Sequence, residues 1–99
     1  MLEEIFNIQE LKELYPLVYN NLLDYIKDLR LDINEVTYLT LLRFFDDNGF
    51  YIGISAFNNG EDWYVDISEI QLHVCKSRKE AEITAITECF EMLEKFLNN

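Results

Sequence analysis

The chain has 99 residues, of which 49% are hydrophobic and 14% aromatic, a composition typical of a globular protein and not of a disordered segment. Nineteen acidic residues against eight basic ones give a net charge of −11. This charge argues against direct binding to nucleic acid or to an anionic membrane, because both need a cationic surface. The length predicts one domain, residues 1–99, and the charge favours a basic protein partner.

The sequence has no run that reaches the ~18 apolar residues of a membrane span. Its acidic start, MLEEIFNIQE, lacks the basic region of a signal peptide, so we expect a cytoplasmic protein. The two cysteines, Cys75 and Cys89, are then expected to be buried free thiols, since a reducing compartment disfavours disulfides.

The first predicted elements are helices. Apolar residues recur at helical spacing over residues 11–29, and the spacing continues through Pro16. Proline suits the first turn of a helix but disrupts its interior, and it favours extended geometry in the residue before it. The pattern therefore predicts a short helix from about Ile8, a break at Tyr15–Pro16, and a second helix to about Arg30.

A third helix is predicted over residues 33–48, ending at Gly49. The apolar residues of its sequence, EVTYLTLLRFFDDNG, point nearly all round the helix axis, so the helix must be covered on every side. Either it lies in the centre of the domain or its outer flank is an interface. The second alternative predicts a homodimer, with the interface formed by Tyr38, Leu41, Leu42 and Phe45.

The hydrophobic period changes to two at Phe50. Two alternating runs flank Asn-Asn-Gly, which predicts a β-hairpin because Asn and Gly tolerate positive φ. The alternation slips after Ser68, so we expect a bend or bulge near Ser68–Glu69 and a third strand over about residues 70–75. In that strand Ile70, Leu72 and Val74 share the apolar phase, and His73 and Cys75 fall on the opposite, polar face.

Ser77-Arg78-Lys79-Glu80 is a capping box that predicts the last helix, to about Leu97. The apolar face of that helix consists of Ala81, Ala85, Ile86, Cys89, Phe90, Leu93, Phe96 and Leu97. The order of elements predicts an α+β fold: N-terminal helices, a small antiparallel meander of two or three strands, and a C-terminal helix packed on one sheet face.

The sequence offers little for catalysis or for a metal. Two cysteines and one histidine fall short of a four-ligand zinc site, and the residues before Gly49 and Gly60 do not fit a calcium loop. There is no glycine-rich phosphate loop and no nucleophile motif. A site of His73 with Cys75 on one strand face is the one catalytic alternative. We expect no enzyme activity, no metal and no cofactor.

The hairpin is the candidate for partner binding. Trp63 is predicted to face inward with Val65 and Ile67, which leaves Tyr64 on the other face among carboxylates. These aromatic rings either form a protein-binding surface or are half-buried under the first helix. The predicted partner-binding residues are Glu61, Asp62, Tyr64, Asp66 and Glu69.

A second candidate site lies at the start of the last helix. Lys76, Arg78 and Lys79 flank its N-terminus, where free N–H groups and the helix dipole attract anions. The alternative function is therefore binding or sequestering a small anion or nucleotide, in place of a protein partner.

Residues 41–97 contain the aromatic helix end LLRFFDDNG, the hairpin FYIGISAFNNGEDWYVDI and the helix start SRKEAEI. In these features the chain resembles small uncharacterised phage or prophage proteins. The resemblance implies a phage-derived accessory protein of the host cytoplasm, without catalytic residues. Small acidic phage proteins include inhibitors of host defence that mimic the charge of DNA, such as anti-CRISPR proteins. We expect a small acidic interaction module, in its sharpest form an inhibitor of a basic, nucleic-acid-binding host protein.

Overall fold

The computed structural model describes residues 7–99, with Gln71 and Leu72 described by their backbone alone. The helices are α1 (Ile8–Leu14), α2 (Pro16–Asp28), α3 (Tyr38–Asp47) and α4 (Arg78–Leu97), and the strands are β1 (Ile52–Phe57), β2 (Asp62–Ile67) and β3 (Ile70–Cys75). The strands form one antiparallel sheet in the order β1-β2-β3, and α4 contacts all three of them. The predicted α+β fold, with its meander and its C-terminal helix on the sheet, is confirmed.

The break between α1 and α2 lies where the sequence predicted it. The Asn7 side chain accepts hydrogen bonds from the backbone N–H groups of Gln9 and Glu10, which caps α1. Tyr15 then leaves helical geometry, with φ −134° and ψ 61°, and Pro16 begins α2. Since Pro16 stands at the first helical position, its missing N–H costs α2 no internal hydrogen bond.

The third predicted helix starts later than expected. Residues 33–48 are not one helix: Ile33–Glu35 form a separate 3-10 turn, and α3 begins only at Tyr38. The physical reason is a second cap, because the Thr37 side chain accepts a hydrogen bond from the backbone N–H of Thr40 at 3.3 Å. Val36, between the two caps, is extended and fully buried.

The two hairpin turns use residues with positive φ. Asn58, Asn59 and Gly60 connect β1 to β2 with φ of 54°, 59° and 86°. Ser68 and Glu69 connect β2 to β3 with φ of 51° and 71°, the pattern of a tight two-residue hairpin turn. The expected bend at Ser68–Glu69 is therefore a turn, and the register shift lies away from the turn, between Val65 and Asp66 of β2.

This register shift corrects the predicted faces of β3. Asp66 pairs with Gln71 but Val65 pairs with His73, so β3 carries one extra residue. A slip of one residue moves every following side chain to the other face of a sheet. Cys75, predicted on the polar face, is therefore buried at 3% exposure, while Val74 is 53% exposed.

The core lies between α4, the inner face of the sheet and α2. Phe90 of α4 contacts the rings of Phe45 and Tyr15 with centroid distances of 5.2 and 5.6 Å. The predicted apolar face of α4 is buried as far as Leu93, but Phe96 is 69% exposed near the helix end. Both cysteines are free and buried, as predicted. Within residues 7–99, no helix is long and apolar enough to cross a membrane.

Candidate functional site

One face of the sheet is turned away from α4, and we call it the outer face. Val65 and Ile67 are fully buried on the inner side, so the alternating residues of β2 project outward. The register aligns these residues with alternating residues of β1 and with Val74 of β3. The outer face comprises Gly53, Ser55, Phe57, Asp62, Tyr64, Asp66 and Val74.

An apolar strip crosses the outer face. The rings of Phe57 and Tyr64 stack with a centroid distance of 4.4 Å and an interplanar angle of 29°. Val74, the cross-strand partner of Tyr64, extends the strip toward β3. Phe57 is 47% exposed and Val74 53%, so residues 7–99 place no helix over the strip. The alternative that the first helix covers these rings does not hold.

Trp63 faces inward, as predicted, and its side chain is hydrogen-bonded to the hairpin turn. Its indole Nε1 donates a hydrogen bond of 2.9 Å to the carbonyl oxygen of Gly60. The half-buried ring packs against the core on the side of the sheet opposite Tyr64. Tyr64 is therefore the aromatic residue of β2 that lies on the outer face.

The predicted carboxylates do not act as one cluster. Asp62, Tyr64 and Asp66 share the outer face, whereas Glu61 and Glu69 are exposed at the two opposite turns. Asp62 accepts hydrogen bonds from Lys76 Nζ at 2.8 Å and from Asn58 Nδ2 at 2.5 Å. The bonds from Lys76 and Asn58 hold the pKa of Asp62 below its usual value, so this carboxylate already has partners.

Part of the basic cluster at the start of α4 is also engaged within the chain. Lys76 Nζ is bound to Asp62, and this bond raises the pKa of the lysine. The backbone N–H of Lys76 donates to Glu80 Oε2 at 3.1 Å, and Ser77 Oγ accepts from the N–H of Glu80 at 3.1 Å. Ser77 thus caps the N–H of Glu80 in the first turn of α4, and Arg78 and Lys79 are exposed beside it.

The predicted homodimer interface needs correction. Leu41 and Phe45 have 0% exposure, so these two residues belong to the core of the chain and not to a surface for a second copy. Tyr38 and Leu42 are half-buried, and Leu39 is 55% exposed. The all-round pattern arose because α3 packs against α4 and β1 at once. The homodimer itself stays a prediction.

His73 and Cys75 lie on the α4 side of the sheet. The imidazole Nε2 of His73 is 3.0 Å from Glu88 Oε1, and the Cys75 thiol lies 3.7 Å from Thr84 Oγ1. Both contacts join β3 to α4. Because Cys75 is 3% exposed, a substrate cannot reach its sulfur without opening the core. Among residues 7–99, no group of three or more His, Cys, Asp and Glu side chains could hold a metal ion.

Sequence reasoning missed one buried structural carboxylate, that of Glu94. Its Oε1 accepts hydrogen bonds from the backbone N–H groups of Leu17 and Val18, both at 3.0 Å, and its exposure is 8%. These are the first free donors of α2 after Pro16, so α4 caps α2 across the molecule. The signal in the sequence is the position of Glu94, four residues after Phe90 on the core face of α4.

A pocket of about 360 Å³ adjoins this cap. It is lined by Leu14, Tyr15, Glu91, Glu94 and Lys95. Glu94 is bound to the backbone of α2, and Glu91 pairs with Lys95 at 3.6 Å. Both acidic residues of the pocket are thus paired within the chain, and we take the outer face as the candidate functional site.

Comparisons with known proteins add no relative: no family model, no curated protein and no solved structure matches this chain.

Proposed function

We propose that the protein is a small acidic interaction module that binds a basic protein partner through its outer face. The observation that carries the proposal is the stacked Phe57–Tyr64 pair, half-exposed on a sheet face that no helix of residues 7–99 covers. Aromatic rings beside carboxylates supply contact area and charge attraction together, which is the usual composition of an interface centre and its rim.

The charge of the chain supports a basic partner. A net charge of −11 attracts cationic surfaces over distance and repels acidic ones, so it raises the association rate for the correct partner. Glu61, Asp66 and Glu69 have no basic group within ion-pair distance among the described residues, so they stay available to a partner.

The sharper form of the proposal is a phage-encoded inhibitor of a nucleic-acid-binding host protein, acting in the host cytoplasm. Two points support it: the acidic charge and the resemblance of residues 41–97 to small phage proteins. A cleft that binds DNA presents many cations to successive phosphates, and a surface of carboxylates competes for the same cations.

The test begins with affinity purification from the host at low and high salt, followed by binding kinetics of the recovered partner. Neutralising Glu61, Asp66 and Glu69 together leaves the Asp62–Lys76 pair intact. We expect this triple variant to slow association and to flatten the salt dependence, because rim charges act mainly on the on-rate. Tyr64→Ala should instead cost about 2 kcal/mol through faster dissociation, as expected of an aromatic anchor.

The matched control neutralises Glu13, Asp24 and Asp28, which are exposed on α1 and α2. It changes the net charge by the same amount away from the outer face. Equal effects of the two triple variants would assign the binding to total charge. Unchanged rates and salt dependence in the outer-face variant would show that the outer face is not the binding surface.

A further inference from the structure

We propose that the outer face selects arginine over lysine in its basic partner, through a slot formed by Gly53, Tyr64 and Asp66. This inference rests on the proposed function and names the side chain by which the partner is recognised. The name arginine slot is used below for these three residues.

The carboxylate of the slot is that of Asp66. It follows Tyr64 by two residues on β2, so the two side chains share a face and lie about 7 Å apart at their bases. Asp62 already binds Lys76 and Asn58, whereas Asp66 has no hydrogen-bond or ion-pair partner among the described residues. Both oxygens of Asp66 are therefore free to accept two parallel hydrogen bonds from one guanidinium group.

The open side of the slot is created by Gly53, the cross-strand partner of Asp66. A Cβ at Gly53 would meet the Cβ and Oδ2 atoms of Asp66, both at 3.8 Å, so the glycine leaves space directly beside the carboxylate. The backbone does not require glycine there, because of the three glycines only Gly49 and Gly60 have positive φ. Glycine weakens a strand interior and often marks a place where a ligand approaches closely.

The wall of the slot is the ring of Tyr64. Phe57 stacks on Tyr64 at 4.4 Å and holds its ring in place. A planar guanidinium group stacks on an aromatic ring while it donates two bonds to a carboxylate. The ammonium group of lysine is a compact, strongly hydrated charge that cannot do both. Since net charge attracts the two side chains equally, the preference comes from the slot.

The test uses two peptides of equal length and charge, one alternating arginine with glycine and the other lysine with glycine. Each is titrated into the full chain, with affinity measured by calorimetry and the binding site mapped by amide NMR shifts. We expect the arginine peptide to bind about three- to fivefold more tightly, the effect of one exposed cation–π contact. The largest shifts should fall on Gly53, Tyr64 and Asp66.

Gly53→Val is the decisive variant, because it fills the slot, suits a strand and changes no charge. We expect it to lower the affinity of the arginine peptide to that of the lysine peptide and to leave lysine binding unchanged. Ala56→Val is the control. It enlarges a residue of β1 that points away from the outer face, so it should preserve the preference for arginine. Tyr64→Leu should abolish the preference, and circular dichroism checks that each variant is folded.

The outcomes separate this inference from the function on which it rests. Equal affinities of the two peptides, with shifts on the outer face, would overturn arginine selection and leave the interaction module standing. A preference that survives Gly53→Val would also overturn the slot. If neither peptide shifts any residue of the outer face, the slot and the proposed binding surface are both wrong.

Discussion

Both faces of the sheet carry apolar side chains, but these are buried on the inner face and exposed on the outer face. On the inner face, Val65 and Ile67 are fully buried against the helices. On the outer face, Phe57 and Val74 stay about half exposed, although they belong to the same sheet. Single exposed apolar residues are common, but neighbours that form a strip mark an interaction surface more often than a structural need. The inner face therefore contributes to folding, and the outer strip is the surface on which the proposed binding depends.

The carboxylates of Glu94 and Asp66 differ in the same way between the core side and the outer face. Glu94, on the core side, is 8% exposed and accepts two short hydrogen bonds from the start of α2. Asp66, on the outer face, is half-buried and accepts none within the described residues. A buried charge is stable in a core only when it is hydrogen-bonded. A surface charge is solvated by water and needs no protein partner in the fold.

The largest expected difference is between Phe90 and Phe57. Phe90→Ala should lower the free energy of unfolding by about 3–5 kcal/mol, because it empties the centre of the core. Phe57→Ala should cost no more than about 1 kcal/mol, since it removes one cross-strand aromatic contact. Urea denaturation of both variants measures the two values. A loss at Phe57 as large as that at Phe90 would mean that the outer face is part of the core.

The second comparison sets Glu94 against Asp66. Glu94→Ala should cost about 2–3 kcal/mol, because it leaves the N–H groups of Leu17 and Val18 without their charged acceptor. Glu94→Gln keeps one oxygen acceptor and should cost less. Asp66→Ala should change stability by no more than about 0.5 kcal/mol, as surface substitutions usually do. Denaturation midpoints measure both losses. Equal midpoints for the two alanine variants would show that Glu94 does not stabilise α2 as its cap.

The third comparison is made at alkaline pH and concerns the core side. Burial raises the pKa of Cys89 from 9.0 to about 12 and that of Tyr38 from 10.0 to about 12. The unfolded chain therefore loses these protons first. The resulting stability is complete below pH 9 and declines as the pH rises toward 12.

The check is the melting temperature of the wild type and of Tyr38→Phe through this pH range. The variant should show a shallower decline above pH 10, because it removes one of the two groups. Tyr51→Phe is the matched control, since Tyr51 is 61% exposed. Parallel curves for wild type and Tyr38→Phe would show that Tyr38 does not contribute.

Local signals in the sequence were sufficient for most element boundaries. Asn7, Pro16 and Ser77 act on backbone groups within about one helical turn, so their effects can be predicted without the fold. The same signals were ambiguous at residues 32–40, where two capping sequences compete and the chain uses both. Asn58 to Gly60 likewise marked the first hairpin, because positive φ is a property of the residues themselves.

For the candidate site, the sequence determined by its alternation that Tyr64 and Asp66 share a face opposite Trp63. Only the tertiary structure decided what surrounds them. Strand register determines three contacts there: the stacking of Phe57 on Tyr64, the space at Gly53 beside Asp66, and the ion pair of Asp62 with Lys76. Register depends on turn geometry and on one extra residue in β3, which local propensities do not encode. The cap formed by Glu94 was equally hidden, because it joins residues 77 positions apart through the packing of α4 on α2.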